Sequence, residues 1–292
     1  MKKIMLFGGS GQLGHDIRNV FTGKEAFSIE SLSSSDFNFN SSDNVEASLA
    51  DKWPFDILIN AMANSDIDRC DQDKDLAYRI NHRAVEEMGD FCSKHNIPIY
   101  HFSTNDIFDG KNQSPYTETD QVNPISIYGA SKLAGEQGLV EICEKHFIFR
   151  VSTYYGALAG AKNFILDTVG KAKNSAQTYA VSDQQICATH SLDIAKALLY
   201  FIENEVIEYG IYNCAAEGAC SWFDLTSETF AIMGIDKTVE KKSYIEVPDN
   251  LERPVYSVLD MKKISKFYQM PTWQESLENY LRLLGLTKQI RN

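Results

Sequence analysis

The sequence lacks the features of a membrane protein or a nucleic-acid-coating protein. None of its apolar runs approaches the roughly 18–20 residues that a membrane-spanning helix needs. Basic residues are scarce, since 28 Lys and Arg stand against 40 Asp and Glu, which gives a net charge of -12. Neutralising phosphates along nucleic acid or an anionic membrane requires clustered cations. We therefore expect neither nucleic acid nor a membrane as a partner.

The chain also has no C-x-x-C pair, no internal repeat and no block of like charge. Its six cysteines are scattered, which is typical of buried, reduced thiols in a cytoplasmic protein and not of a disulfide framework or a zinc site. The apolar stretch Ile4–Phe7 stops at Gly8, far short of the apolar region of a signal peptide. We interpret it as a buried strand.

What the sequence does contain is an alternation of short apolar runs and amphipathic stretches, within 292 residues that are 43% hydrophobic. This alternation predicts an α/β fold in which helices cover both faces of a doubly wound parallel sheet. The second half is less regular. Strands are predicted at 4–7, 26–32, 56–61, 97–102, 147–151 and 210–215, and helices at 12–21, 45–51, 74–95, 128–143, 163–173, 191–205, 221–233 and 272–284. Ser221 is the expected N-cap of its helix.

A glycine-rich turn follows the first strand and opens the first helix. Its glycines Gly8, Gly11 and Gly14 match both G-x-x-G-x-x-G and G-x-G-x-x-G. Glycine permits positive φ and lets the backbone approach a pyrophosphate, while the start of the helix at Gln12 and Leu13 offers free N–H groups and a positive dipole end. The strand–turn–helix context makes this a predicted dinucleotide site.

Residues at the end of the second strand should determine whether the protein prefers NAD or NADP. An acidic residue there would bind the ribose 2′-OH, and an Arg would bind a 2′-phosphate. The segment 30–36 contains no Arg, and Glu30 cannot be placed with respect to the ribose. We interpret its serine run, 31–35, as a loop whose hydroxyls could accept a 2′-phosphate. Either NADP or NAD is compatible, with NADPH slightly favoured.

Tyr128 and Lys132 form a Y-x-x-x-K pair that lies on one face of a predicted helix. A phenol with an ordinary pKa near 10 is a poor proton donor or acceptor at neutral pH, and a neighbouring ammonium would lower that pKa. Upstream, Ser103 and Thr104 end a predicted strand, where α/β sheets bind ligands. Either hydroxyl could hydrogen-bond a substrate carbonyl beside Tyr128.

With these motifs the chain resembles the extended short-chain dehydrogenase/reductases, and more closely the dTDP-4-dehydrorhamnose reductase family of nucleotide-sugar reductases. The resemblance spans nearly the whole chain. It is carried by GGSGQLG at 8–14, DILINA at 56–61, RINHRAVEEM at 79–88, the S-T-x-x-I-F-D-G segment at 103–110, PISIYGASKLAGE at 124–136, FRVSTYYG at 149–156, DQQICATHSLDIA at 183–195, SWFD at 221–224 and RPVYSVLD at 253–260.

The resemblance implies a catalytic triad of Thr104, Tyr128 and Lys132. It implies hydride transfer from a reduced nicotinamide to C4 of a nucleoside-diphosphate 4-keto-6-deoxy sugar, with Tyr128 as proton donor and Lys132 binding the ribose. Further cofactor contacts are expected at Ala61, Ala63, Ser103 and Tyr128 itself, and substrate contacts at Ile67, Asn105, Asp106, Thr153 and Arg253. The guanidinium of Arg253 suits a pyrophosphate. A Rossmann domain of 1–152 with 183–205 and a substrate lobe of 153–182 with 206–292 are expected.

Several residues depart from the family pattern. Asn105 and Asp106 replace the Asp and Tyr of S-T-D-Y-V-F-D-G, and Thr153 replaces a common Trp. The segment 183–189 lacks the Gly and Pro of D-Q-x-G-x-P-T. These changes fall where the family lines its sugar pocket, so we expect reduction of a different sugar. His15 and His190 stand near the acidic positions linked to a metal-bridged dimer in some members, so no metal is predicted. A homodimer is compatible with the resemblance.

Two other functions remain open on the sequence alone. Asp106 beside Thr104 keeps a nucleotide-sugar epimerase or dehydratase in consideration, because dehydratases need added acid–base carboxylates there. The altered pocket would also fit a non-catalytic nucleotide-binding subunit, since the same fold is known as the regulatory partner of methionine adenosyltransferase. The retained pair Tyr128 and Lys132 argues against that role.

Overall fold

A computed structural model describes residues 1–33, 45–161, 163–174, 178–246 and 253–288. The strands are β1 (Lys2–Phe7), β2 (Phe27–Leu32), β3 (Ile57–Asn60), β4 (Ile99–Thr104), β5 (His146–Val151), β6 (Tyr154–Tyr155), β7 (Thr178–Val181), β8 (Gln185–Ile186), β9 (Thr189–His190), β10 (Gly210–Asn213), β11 (Cys220–Ser221) and β12 (Val239–Lys242). The helices are α1 (Gln12–Phe21), α2 (Val45–Lys52), α3 (Ile67–Gln72), α4 (Lys74–Tyr78), α5 (Ala84–His95), α6 (Ile127–Ile142), α7 (Phe164–Asn174), α8 (Ser191–Glu203), α9 (Trp222–Met233) and α10 (Trp273–Leu283).

A six-stranded parallel sheet organises the fold, in the order β10-β5-β4-β3-β1-β2. The two strands that follow β1 lie on opposite sides of it, so the strand order reverses between β1 and β3. Ligands of open α/β sheets bind at such a reversal, beyond the carboxyl ends of the strands. The predicted α/β fold with a doubly wound parallel sheet is confirmed.

Strand residues alternate between two hydrophobic cores, one on each face of the sheet. On β1, Ile4 and Leu6 pack with α1 and α8, whereas Met5 and Phe7 pack with α2, α5 and α6. The same alternation places Tyr100 and Phe102 of β4 on the first face. Successive side chains of a strand point to opposite faces, so His101, which stands between Tyr100 and Phe102, points toward α5 and α6.

The second half adds three two-stranded sheets, β6 with β9, β8 with β11, and β7 with β12. A further core of Leu225, Leu277, Tyr280 and other residues lies beneath α9 and α10. The predicted N-cap Ser221 is confirmed, since it forms a capping box with Asp224. The division into two domains stays a prediction, and β10 is notable because it belongs to the large sheet although the expected lobe includes it.

Two sequence predictions of local structure need correction. The expected continuous helix over 74–95 is interrupted by a π-helical turn at Arg79–Arg83, between α4 and α5. The expected loop over 31–35 begins later than predicted, because Ser31 pairs with Leu6 inside the sheet. The remainder of that serine run, from residue 34, lies outside the described residues. Within the described ranges, the helices are all too short or too polar to cross a bilayer.

Candidate active site

The glycine turn packs directly on the end of β3. Gly8 has φ of +82°, and a Cβ there would lie 2.7 Å from the carbonyl oxygen of Ala61. A Cβ on Gly14 would lie 2.1 Å from the carbonyl oxygen of Gly8. Gly11 is the N-cap of α1 and supplies no side chain, so the first N–H groups of this helix have no side-chain cap. The turn can therefore present backbone donors to an anion.

The predicted cofactor residues around this turn differ in what they expose. The Gln12 amide bonds Asp16, Ser191 and the Leu158 N–H, so any cofactor contact of Gln12 falls to its backbone. Leu13 is buried in the core under the sheet. Beyond β3, Ala61 is half-buried and Ala63 is exposed, at the edge where the strand order reverses.

Ser103 and Thr104 end β4 at the same edge. The Ser103 hydroxyl is buried, and within the described ranges it finds no hydrogen-bond partner. Thr104 is 5% exposed, and its hydroxyl accepts the Asp106 N–H at 3.2 Å. A hydrogen bond with Thr104 also acts to lower the pKa of the Tyr128 phenol. Thr104 and Tyr128 are thus brought together, as the sequence predicts, while Ser103 keeps an open donor for a ligand.

Tyr128 lies in the first turn of α6, where Ser126 is the N-cap. Burial raises the pKa of the Tyr128 phenol well above 10, and the nearby Asp106 carboxylate raises it further. This is the opposite of the expected activation by an ammonium. The reason is that burial dominates, and Lys132, whose amine bonds the Phe102 carbonyl, is not among the groups that act on the phenol. Tyr128 is consequently protonated at neutral pH and suited to donate a proton.

Lys132 is 1% exposed, one turn along α6 from Tyr128. Its Nζ donates to the carbonyl oxygen of Phe102 at 2.5 Å and lies 3.2 Å from Nε2 of His101. Burial lowers the pKa of Lys132 to about 8, and the Glu136 carboxylate opposes that change. The amine therefore titrates near physiological pH.

Three polar residues that sequence reasoning missed hold this region together. Asn60 and His101 join in a buried hydrogen bond at 3.1 Å behind Lys132. Asn81, in the π-helical turn, accepts the Asn64 N–H at 2.9 Å and donates to the Asn64 carbonyl and the Ser131 hydroxyl. A π-helical turn often marks a functional site. For Asn60 and His101, a single polar residue amid apolar neighbours was the available signal.

One of the predicted substrate residues, Asp106, lies beside the Tyr128 phenol. Asp106 is half-buried, and burial raises the pKa of its carboxyl while the charge of Arg253 lowers it. Tyr154, which was not predicted, is exposed and also influences the Tyr128 pKa. Thr153 is half-buried just before β6. Asp106 and Tyr154 therefore flank the phenol from different segments, and Arg253 acts on Asp106.

Two other predicted substrate residues make their contacts inside the protein. Asn105 is 4% exposed and donates to the Ser152 hydroxyl and to the Ser257 carbonyl, each at 3.1 Å. Ile67 is 6% exposed and begins α3, which is capped by Asp66. Their roles as substrate contacts stay predictions.

A cation does approach the end of β2, although it comes from another element. Arg18 of α1 is exposed, and its guanidinium donates to the Gly9 carbonyl at 3.4 Å. A Cβ on Gly9 would lie 2.6 Å from the Ser31 Cβ and 3.6 Å from the Arg18 Cδ, so the three residues adjoin. Glu30 instead pairs with Lys52 at 2.8 Å. Sequence spacing does not reveal this arginine, because Arg18 and Ser31 meet only through the fold of the glycine turn.

His15 and His190 do not belong to a recognisable metal centre. Groups of three or more His, Cys, Asp or Glu side chains placed to hold a metal are absent from the part of the chain that the structure describes. His190 is buried, and its ring stacks against Tyr155. The six cysteines are all buried and unpaired.

The parallel sheet, the glycine turn at its reversal and the Tyr–Lys pair beside a threonine together define an extended short-chain dehydrogenase/reductase. More specifically, the family described as RmlD substrate binding domain matches residues 1–285. The chain belongs to that family.

Relatives extend over nearly the full chain. The dTDP-4-dehydrorhamnose reductase of Aggregatibacter actinomycetemcomitans is 30% identical, with 96% of this chain and 98% of that protein covered. The crystal structure of a dTDP-4-dehydrorhamnose reductase from Clostridium acetobutylicum has a TM-score of 0.89 at 31% identity and covers 97% of this chain and 99% of that one. The enzyme of that name from Bacillus anthracis, in complex with NADP, has a TM-score of 0.88 at 28% identity, with coverage of 97% and 99%.

Proposed function

We propose that the protein is an NAD(P)H-dependent reductase of the 4-keto group of a nucleoside-diphosphate 6-deoxy keto-sugar. The observation that carries this proposal is the grouping of Thr104, Tyr128 and Lys132 at the carboxyl edge of the sheet, beside the glycine turn. Family membership and the names of the relatives support the same reaction. The assignment of these residues to catalysis is part of the proposal.

The site fits a nicotinamide dinucleotide. The uncapped start of α1 suits the pyrophosphate, and the buried, unpartnered Ser103 hydroxyl suits a ligand at the end of β4. Arg18, beside Ser31, suits a 2′-phosphate, which favours NADPH over NADH. A relative in this family was crystallised with NADP. When bound, the reduced cofactor supplies the hydride.

The residues of the chain would then manage the proton and the charge. Tyr128, whose raised pKa keeps it protonated, donates the phenolic proton to the sugar oxygen as negative charge develops there. Thr104 donates a hydrogen bond to the same oxygen or holds the phenol, as its bond to Tyr128 indicates. Lys132, when charged, binds a ribose hydroxyl, and its positive charge lies one helical turn from the phenolate that remains.

We propose further that the sugar differs from that of the rhamnose reductases. Asp106 places a carboxylate next to Tyr128, where the resembling family carries a tyrosine. This carboxylate interacts with Arg253, which we assign to the substrate pyrophosphate. Once a pyrophosphate engages Arg253, Asp106 is free to accept hydrogen bonds from sugar hydroxyl or amino groups.

An epimerase or dehydratase is the second candidate, because Asp106 is a half-buried carboxylate with a raised pKa close to the phenol. The test mixes purified protein with NADPH or NADH and a panel of nucleoside-diphosphate 4-keto-6-deoxy sugars. Loss of nicotinamide absorbance that disappears in Tyr128→Phe supports the reductase. Product without net cofactor oxidation supports the second candidate, and cofactor binding without any turnover supports a regulatory nucleotide-binding subunit.

The cellular setting is part of the same proposal. Six buried, unpaired cysteines suit a reducing compartment, so we place the protein in the cytoplasm. A homodimer is the proposed assembly on the strength of the family resemblance, and light scattering of the purified chain tests it.

A further inference from the structure

His101 is a buried histidine to which the proposed mechanism gives no task. It is 0% exposed in the middle of β4 and points to the face covered by α6, because Tyr100 and Phe102 pack on the other face. Its Nε2 lies 3.2 Å from Nζ of Lys132, and its Nδ1 lies 3.1 Å from Nδ2 of Asn60. The imidazole therefore connects the proposed catalytic lysine to β3.

The orientation of the Asn60 amide decides which ring nitrogen carries the proton. Its Oδ1 accepts the Met62 N–H at 3.0 Å, so Nδ2 is the atom that faces His101. An amide nitrogen only donates, and Nδ1 of His101 must therefore accept. Burial first, and then the charge of Lys132, hold the pKa of His101 well below its usual value, so the ring is neutral. Its single N–H consequently lies on Nε2.

This tautomer is complementary to an uncharged lysine. Nε2–H points at Nζ of Lys132, which can accept only as a neutral amine, because an ammonium has three donors and no lone pair. A neutral Nζ accepts from His101 and still donates to the Phe102 carbonyl. The Asn60 amide, the His101 ring, the Lys132 amine and the Phe102 carbonyl then each have a hydrogen-bond partner, as buried polar groups require.

A charged Lys132 reverses this arrangement. The ammonium needs Nε2 as an acceptor, which moves the imidazole proton to Nδ1. Asn60 must then turn its Oδ1 toward His101, and the Met62 N–H loses its partner. Met62 follows β3 between the predicted cofactor residues Ala61 and Ala63.

We propose that His101 and Asn60 are positioning residues that couple the charge of Lys132 to the backbone after β3. The coupling rests on the proposed function, since it concerns the same lysine. The other titratable groups at this position in the described chain are Tyr128 and Glu136 on α6, the latter paired with Arg150 of β5. The position of the backbone at 61–63 and the charge of Lys132, the group proposed to bind the ribose, therefore change together.

The direct test measures the ring nitrogens of His101 by ¹⁵N–¹H correlation NMR on the full-length protein without cofactor, from about pH 6 to about pH 10, which spans the Lys132 pKa. We expect the Nε2–H form at high pH and the Nδ1–H form below the titration of Lys132. His146 is the internal control, because its Nδ1 faces the Cys143 carbonyl, which can only accept, so its neutral ring carries the proton on Nδ1.

Two variants make the result decisive. Lys132→Met should leave His101 in the Nε2–H form at every pH, since no ammonium demands an acceptor. Asn60→Asp should hold the Nδ1–H form, because a carboxylate accepts that proton while still accepting the Met62 N–H. In Asn60→Asp, the pH midpoint of NADPH binding, followed by nicotinamide fluorescence, should rise by about one unit.

A His101 tautomer that stays constant across the pH range in the unmodified protein overturns the proposal, as does a pH-dependent tautomer in Lys132→Met. Neither measurement uses turnover. A protein that reduces none of the keto-sugars yet changes tautomer as described would refute the proposed function and leave this inference standing.

Discussion

The cofactor side and the sugar side of the site are built in different ways. On the cofactor side, β3, β4 and α6 place buried polar groups whose partners lie within the fold, such as Asn60 with His101. On the sugar side, Asp106 and Arg253 are half-buried on connecting segments and influence each other through charge. Regular structure therefore holds the residues of the cofactor side in place, whereas the residues of the sugar side can vary in sequence.

This difference explains where the chain departs from the family pattern. Close packing constrains the glycine turn, because a Cβ on Gly8 or Gly14 would overlap backbone atoms. The backbone of Asp106 is packed as closely, since a Cβ on Gly129 would lie 2.2 Å from its carbonyl oxygen, but the side chains of Asp106 and Thr153 are only half-buried and are not enclosed in the core. Chemistry and specificity can therefore change independently, and the two sides should respond differently to mutation.

The largest effect should come from Tyr128→Phe, at the junction of the two sides. Removing the phenolic proton donor should lower kcat by about 10²- to 10⁴-fold. NADPH affinity should stay within about threefold, because the phenol is not needed to bind the phosphates. Stopped-flow reduction and fluorescence titration measure the two quantities. Equal losses of kcat and of NADPH affinity would mean that Tyr128 serves the cofactor side as much as the sugar side.

Asn81→Ala tests whether the cofactor side is held by its internal hydrogen bonds. The substitution leaves the half-buried Asn64 N–H without its partner and leaves the Asn64 carbonyl with only the weak thiol donor of Cys70, at about 1–3 kcal/mol for an unsatisfied buried group. We expect the free energy of unfolding to fall by about 2–4 kcal/mol in urea. Asn19→Ala, on the exposed face of α1, is the matched control and should change it by less than about 0.5 kcal/mol.

Arg18→Ala tests the cofactor preference. A charged hydrogen bond to a 2′-phosphate contributes about 1.5–3 kcal/mol, so the Kd for NADPH should rise about 10- to 100-fold. The Kd for NADH should be nearly unchanged. Calorimetric titration measures the Kd values for NADPH and NADH. Arg282→Ala, at an exposed position of α10, is the control. A parallel loss for both cofactors would remove Arg18 from the 2′-phosphate site.

Asp106→Asn should have the smallest effect and acts from the sugar side. The carboxylate raises the pKa of Tyr128, so its loss should lower that pKa. Activity nevertheless declines first as Lys132 loses its charge, since the Lys132 pKa of about 8 lies well below that of Tyr128. The alkaline midpoint of the activity profile should therefore move by less than about half a unit in the variant, because Asp106 is not among the groups that act on Lys132. Asp109→Asn is the control for pH profiles, because Asp109 does not affect Tyr128.

The sequence predicted the parts of the site that depend on local spacing. Tyr128 and Lys132 share a helix face by their i, i+4 separation, and the glycine turn follows from residues next to β1. Asn60, Asn81 and Arg18 depend on contacts between distant segments or on a π-helical turn, which no periodicity encodes. The expected low pKa of Tyr128 failed for the same reason, because burial depends on the whole fold.

The position of β10 limits where chimeras between relatives can be divided. This strand comes from the second half of the chain but completes the large sheet beside β5. A chimera with a crossover before Gly210 would import a foreign edge strand, and its side chains would have to fit a core they did not evolve with. A graft of sugar specificity should instead carry the loops alone and leave residues 210–213 native.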